Sequence, residues 1–237
     1  MNITLQSNKK EIQIDLVNLP VDNANDASEI MKMDIRFCEL LCAKFCHDMA
    51  GPVGAINNGI DFIESDDLEM KSVAMDLLST SARKAINNLV FLRQAYGFAP
   101  YESDVDFYTV KTFIENFLKG SRISVVVLKE SKNELVNGRV AKLLYNLTIM
   151  LSNIMTYVGH LKILLGDDSI IVTSNAPIHK IDNDLEQILQ GDVESSSLTS
   201  RNVQIAFTAL VALDLGYKIG LQYTSPDMVT LTLKKAR

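Results

Sequence analysis

The segment Cys46-His47-Asp48-Met49-Ala50-Gly51-Pro52 places an imidazole beside a carboxylate. A largely neutral imidazole near pH 7 has a nucleophilic nitrogen that needs no strong base, which suits it to accept and pass on a phosphoryl group. At helical spacing the neighbours of His47 are Leu40, Ala43, Lys44, Ala50, Gly51 and Gly54, most of them small. A rim this low lets another protein's active site close over the ring. Asp48 lies next round the helix, where it can orient the ring or meet a partner's side chain. Pro52 lacks an amide donor and clashes backward with residue 48, so the helix is expected to loosen or kink just past His47. On pattern alone, His47 is still one of three histidines, on a solvated helix face.

Other residues have chemistry to offer. Cys38, Cys42 and Cys46 recur every four residues beside His47. Two chains could combine such thiolates and imidazoles around a metal, but free cysteine is a common small packing residue, and zinc sites usually draw on turns as well as helices. We therefore expect packing and no metal. Lys44 and Arg93 are candidates to meet acidic residues of a docking partner, with a solvated face as the plainer reading. Asn57-Asn58 is read as structural, bonding across a helical bundle.

Apolar residues at helical spacing (Leu41, Phe45, Met49, Val53 or Pro52, Ile56, Ile60, Ile63) predict one long helix, opened by a capping box at Asp26 and Glu29. Ser65-Asp66-Asp67 breaks it, and Asp66 with Glu69 offers a second box. Ala74, Leu78, Ala82, Ala85, Leu89, Leu92 and Tyr96 predict a second helix to about residue 96. Such a hairpin leaves an apolar stripe uncovered, and pairing two chains into a four-helix bundle covers it economically. After Gly97-Phe98-Ala99-Pro100 the pattern changes. Helices are expected at 110–119, 138–158, 182–190 and 199–215, and strands at 122–128, 160–165, 169–174, 217–223 and 228–234, an α+β sandwich with a mostly antiparallel sheet. The resulting division is an arm or linker at 1–27, a helical hairpin at 28–99 and an α/β domain at 100–237. Residues 1–16 alternate as a short strand pair or a loose arm would.

The 237 residues carry a net charge of -6 and no evident basic face, which argues against a nucleic-acid partner. Three cysteines do not make a secreted disulfide framework, and a cytoplasmic setting fits better. The greasiest window, 140–165, contains Asn146, Thr148, Ser152, Asn153, His160 and Lys162, so it reads as a buried helix and strand and not a membrane span.

The stretch 41–58, LCAKFCHDMAGPVGAINN, resembles the phosphoacceptor box of sensor histidine kinases. It is more similar to the alphaproteobacterial histidine phosphotransferases of the ChpT family, with Cys-His-Asp ahead of Pro52 and Gly54-Ala55-Ile56-Asn57-Asn58-Gly59 after it. The resemblance covers roughly residues 35–235. It implies a homodimer through the hairpin and an appended, degenerate kinase-like (Bergerat-type) domain. It also implies a phosphotransferase relaying phosphate through His47 between receiver domains of a hybrid kinase and of response regulators for cell-cycle or developmental genes. Leu143-Leu144-Tyr145-Asn146-Leu147 is similar to the start of the kinase asparagine box, yet Met150 stands where the metal-binding asparagine would be, and thioether is a poor Mg²⁺ ligand. Ser174-Asn175-Ala176-Pro177 replaces the adenine-gripping Asp-x-Gly-x-Gly, and Ser200-Arg201-Asn202-Val203 replaces a phosphate-cradling glycine box. The expectation is no nucleotide, no cofactor and no autophosphorylation, with Mg²⁺ supplied by the partner receiver. Gly51 stands where related bifunctional kinases carry a polar side chain that orients hydrolytic water. The runner-up is a kinase-derived scaffold that docks response regulators without carrying phosphate.

Overall fold

A computed structural model describes residues 2–7, 10–15, 24–63, 68–100, 102–155, 158–175, 185–190, 195–225 and 228–235, with side chains described from Ile35 onward in the first helix and from Lys71 in the second. Its first elements are an antiparallel strand pair, β1 (Asn2–Ser7) and β2 (Lys10–Asp15), in the register Leu5 to Ile12. The helix α1 (Ala24–Ile63) follows, and α2 (Leu68–Tyr96) packs back along it. α1 begins two residues before Asp26, so this residue falls inside the first turn and is not the cap. The second expected box, at Asp66, lies outside the described residues. Helix assignment continues unbroken through Pro52, whose missing amide removes the donor that the Asp48 carbonyl would otherwise receive.

The remaining elements are β3 (Asp104–Asp106), α3 (Phe107–Leu118), β4 (Ile123–Lys129), β5 (Leu135–Asn137), α4 (Gly138–Ile154), β6 (Gly159–Leu165), β7 (Ser169–Asn175), α5 (Leu185–Gln190), α6 (Val203–Asp214), β8 (Tyr217–Ser225) and β9 (Met228–Lys235). Asp106 caps α3 by accepting from the Thr109 amide at 3.0 Å, and Asn137 caps α4 by accepting from the Arg139 amide at 3.0 Å. α6 ends at Gly216, whose φ of 76° is the left-handed closure that glycine adopts without strain.

The main sheet has the order β4-β6-β7-β9-β8; only β4 and β6 run parallel, and α4 lies in the connection between them. β6 alternates buried Leu161, Ile163 and Leu165 with exposed His160 and Lys162, so one sheet face is apolar and one solvated. Against the apolar face lies α4, buried at every position from Leu143 to Leu151, with Asn146 and Thr148 the polar residues among them. α3 and α6 flank it, and the far end of α2 stacks on this layer through Phe91, whose ring lies 4.1 Å from that of Phe117. Among the described residues, no helix is long and apolar enough to cross a membrane.

Candidate functional site

α1 turns His47 outward, and its side chain is 85% exposed. Its Nδ1 stands 3.4 Å from Asp48 Oδ1, at the outer limit of a hydrogen bond. Asp48 is half-buried, and the same oxygen accepts from Lys44 Nζ one turn back. Lys44 is itself buried, so it neither reaches out to a partner's acidic residues, as expected, nor lies on a solvated face: the cation turns inward, where an ion pair with Asp48 compensates its desolvation. Three residues thus form one chain, with the exposed imidazole backed by a carboxylate that a lysine holds in place.

The rim differs along its length. At Gly51 and Gly54 an added Cβ would meet nothing within 4 Å, so no packing inside the chain requires glycine there. Gly59 is different: its Cβ would stand 2.7 Å from Leu78 Cγ, so this glycine lets α1 and α2 approach closely. Arg93 is exposed in the last turn of α2 and shares no hydrogen bond or ion pair with the His47 group among the described residues.

The cysteines are not packed inside this chain. Cys38, Cys42 and Cys46 are all free and exposed, on the α1 face that also carries exposed Ile35, Val53 and Ile60. Among the described residues no group of three or more His, Cys, Asp and Glu side chains is arranged to hold a metal. Asn57 and Asn58 are exposed, and Asn57 donates to Asp61 along its own helix at 3.3 Å instead of bonding across to α2.

A second polar group, hidden from sequence patterning, joins the hairpin to the C-terminal region. Tyr96 Oη donates to Gln204 Oε1 at 2.5 Å, and Gln204 Nε2 donates to Asn146 Oδ1 at 3.0 Å. Burial, and behind it the Asp48 carboxylate, raises the Tyr96 phenol well above its ordinary pKa. Arg36 reaches from α1 to the Leu198 carbonyl at 3.1 Å. Spacing places Tyr96 on the apolar stripe of α2 and Asn146 in the asparagine box, but not their joining through Gln204, because each pairs with a position far away in the chain, which periodicity does not report.

At the positions that would carry nucleotide chemistry, Met150 is buried in α4 and Ser174 is buried in β7. The Thr199 amide donates to Asn202 Oδ1 at 2.7 Å and the Arg201 amide to Thr199 Oγ1 at 3.3 Å. Within 200–203, the Arg201 and Val203 amides are thus engaged in the turn itself.

A family model described as the histidine phosphotransferase C-terminal domain matches residues 107–226. The protein phosphotransferase ChpT of Brucella abortus (strain 2308) is 27% identical over 195 residues, covering 80% of this chain and 91% of that protein. A bacterial phosphotransferase solved at 1.7 Å superposes with a TM-score of 0.71 at 23% identity, over 84% of this chain and 96% of that one, a likeness of fold.

Proposed function

The chain belongs to the histidine phosphotransferase family, and from that premise we propose that His47 is the phosphoryl carrier, exchanging phosphate with aspartates of receiver domains. Histidine phosphotransfer in a phosphorelay is the protein's function; the carrier residue, its partners and its assembly are our reading. One observation carries it: an exposed imidazole whose Nδ1 faces a carboxylate anchored by a buried lysine, on a rim left open at Gly51 and Gly54. With Nδ1–H directed at Asp48, the lone pair of Nε2 points to solvent as the nucleophile. Nε2 attacks the phosphorus of an aspartyl phosphate, the N–P bond forms, and the P–O bond breaks to release the aspartate carboxylate. The imidazolium character that develops is stabilised through Nδ1–H by Asp48. The reverse reaction returns the phosphoryl group.

The receiver supplies the Mg²⁺ that neutralises the transferring oxygens, and this chain supplies a positioned nucleophile. The buried thioether of Met150 and the self-bonded turn 199–202 support a chain that neither binds ATP nor phosphorylates itself. Gly51 offers no side chain to orient water, which favours passing phosphate on over hydrolysis. Gly51, Gly54 and Arg93 form the docking rim; Lys44 serves it through Asp48. The uncovered apolar residues of α1 and α2 support a homodimer through a four-helix bundle.

The test mixes the protein with a radiolabelled phosphoreceiver. Label is expected on the wild type and lost in His47→Ala; docking without label would favour the scaffold, and label from Mg-ATP alone would favour a kinase.

A further inference from the structure

Arg36 and His47 are eleven residues apart on α1, about three turns, which places them within roughly 20° of each other on one face and about 16 Å apart along the axis. The Arg36 guanidinium donates to the carbonyls of Leu198 at 3.1 Å and Ser196 at 3.4 Å. The turn at Ser196 and Leu198 therefore stands beside the face of the helix that presents His47, and Phe207 continues the segment round the helix against Phe37. A globular partner of about 100 residues has a radius of gyration near 13 Å, so one that covers His47 also meets this segment.

What holds the segment there is a directed chain of hydrogen bonds. Asn146 Nδ2 donates to the Ala95 and Lys142 carbonyls, each at 2.8 Å. Carbonyls only accept, so the Asn146 oxygen must face Gln204 and accept from its Nε2 at 3.0 Å. Gln204 Oε1 is then left to accept from the Tyr96 hydroxyl at 2.5 Å. Each link sets the next, from α4 through α6 to the last residue of α2. Asn146 and Gln204 are 0% and 1% exposed, and Gln204 Nε2 also lies 3.3 Å from Thr208 Oγ1. The ring of Phe207 sits between those of Tyr96 and Phe37, at 5.7 and 6.3 Å. Lys142 Nζ adds a bond to the Gly97 carbonyl at 2.8 Å. A buried network with its carboxamides satisfied in one direction specifies one arrangement of the parts it joins.

We propose that Tyr96, Gln204 and Asn146 are positioning residues for phosphotransfer, holding the 196–207 segment as a rigid shelf beside His47 against which the partner protein registers. None of them touches the transferring group. The inference rests on His47 as the carrier, and its test separates the two. Labelled phosphoramidate, a donor too small to meet the shelf, phosphorylates the wild type, Tyr96→Phe and Arg36→Ala at rates within about twofold of one another. Transfer from the phosphorylated receiver domain of a hybrid histidine kinase shows an apparent KM raised about fivefold in both variants with kcat little changed, the signature of lost binding. Tyr96→Phe keeps the ring against Phe207, and Arg36→Ala removes a side chain that lies outside the buried network.

If both donors slow together, the residues act on the fold or the nucleophile and the shelf is wrong. If receiver transfer is unchanged while phosphoramidate labels His47 normally, the shelf fails and the carrier stands. If neither donor labels His47 in the wild type, the carrier fails and takes the shelf with it.

Discussion

Glycine inside a helix costs about 1 kcal/mol relative to alanine, and α1 bears that cost for two different ends. At Gly51 and Gly54 the space above Cα is empty within the chain. Gly51→Ala and Gly54→Ala are each expected to stabilise the protein by up to about 1 kcal/mol, read as a higher Tm, while slowing receiver-to-His47 transfer because the new methyl group meets the partner. Unchanged transfer would mean that the rim is not a docking surface. Gly59→Ala should do the reverse. Its Cβ would stand 2.7 Å from Leu78 Cγ, and overpacking of about 1–3 kcal/mol exceeds the propensity gain. Urea melts of Gly59→Ala, Leu78→Ala and the double variant should show the two changes partly relieving each other. His47 was legible because a long run of residue types surrounds it. The inward turn of Lys44 was not: spacing to Asp48 fits an ion pair, but its burial depends on where α2 packs.

The helical hairpin was legible from spacing alone, because forty and twenty-nine residues of continuous helix leave few other readings. β3 and β5 were missed, since three-residue strands are too short to show alternation. The α4 helix stops at Ile154, short of residue 158, where its apolar run continues towards β6. Spacing also anticipated that the hairpin would have apolar residues to spare. Ile35, Val53 and Ile60 on α1, and Val73, Met75, Ile86 and Leu89 on α2, are exposed in the single chain. At about 100° per residue, Ile35, Val53 and Ile60 fall with Cys38, Cys42 and Cys46 within about 40° of one line. That line would form the seam of the proposed bundle. Val53→Glu with Ile60→Glu is expected to convert a dimer to a monomer in sedimentation velocity, with Phe91 and the rest of the C-terminal core undisturbed. A wild type that sediments as a monomer would reject the bundle.

Across the whole molecule, buried phenols make stability depend on alkaline pH. Burial raises the pKa of Tyr96, Tyr145 and Tyr217, with Asp48 adding to the first and Asp168 to the last. The unfolded chain releases those protons near pH 10 while the native chain still holds them. Stability present below that pH is therefore lost as pH rises through the folded values. Lys142 works the other way, since burial lowers its pKa, with Arg139 adding to the shift and Asp214 opposing it. Urea melts from pH 7 to 11 should show the decline, and Tyr145→Phe, which keeps the ring and removes the proton, should flatten it. An identical slope in that variant would reject the account. The order of strands and helices in this half was largely readable, because buried strands and a mostly apolar helix are long and distinct. The clasp between Tyr96 and Gln204 was not, since its partners are 108 residues apart.

Met150 has a consequence for what its position can be made to hold. It lies 1% exposed inside the most deeply buried helix of the molecule. An asparagine there would put a carboxamide inside the buried core, at a cost of about 1–3 kcal/mol for each polar atom left without a partner. The shorter side chain would also leave a void. A metal-ligating oxygen at this position would therefore come only through a weakened protein, a loss that a bound ion would have to offset. The side chain that fills this spot works as a ratchet: once packed, it resists exchange for a ligand whatever chemistry the exchange would bring.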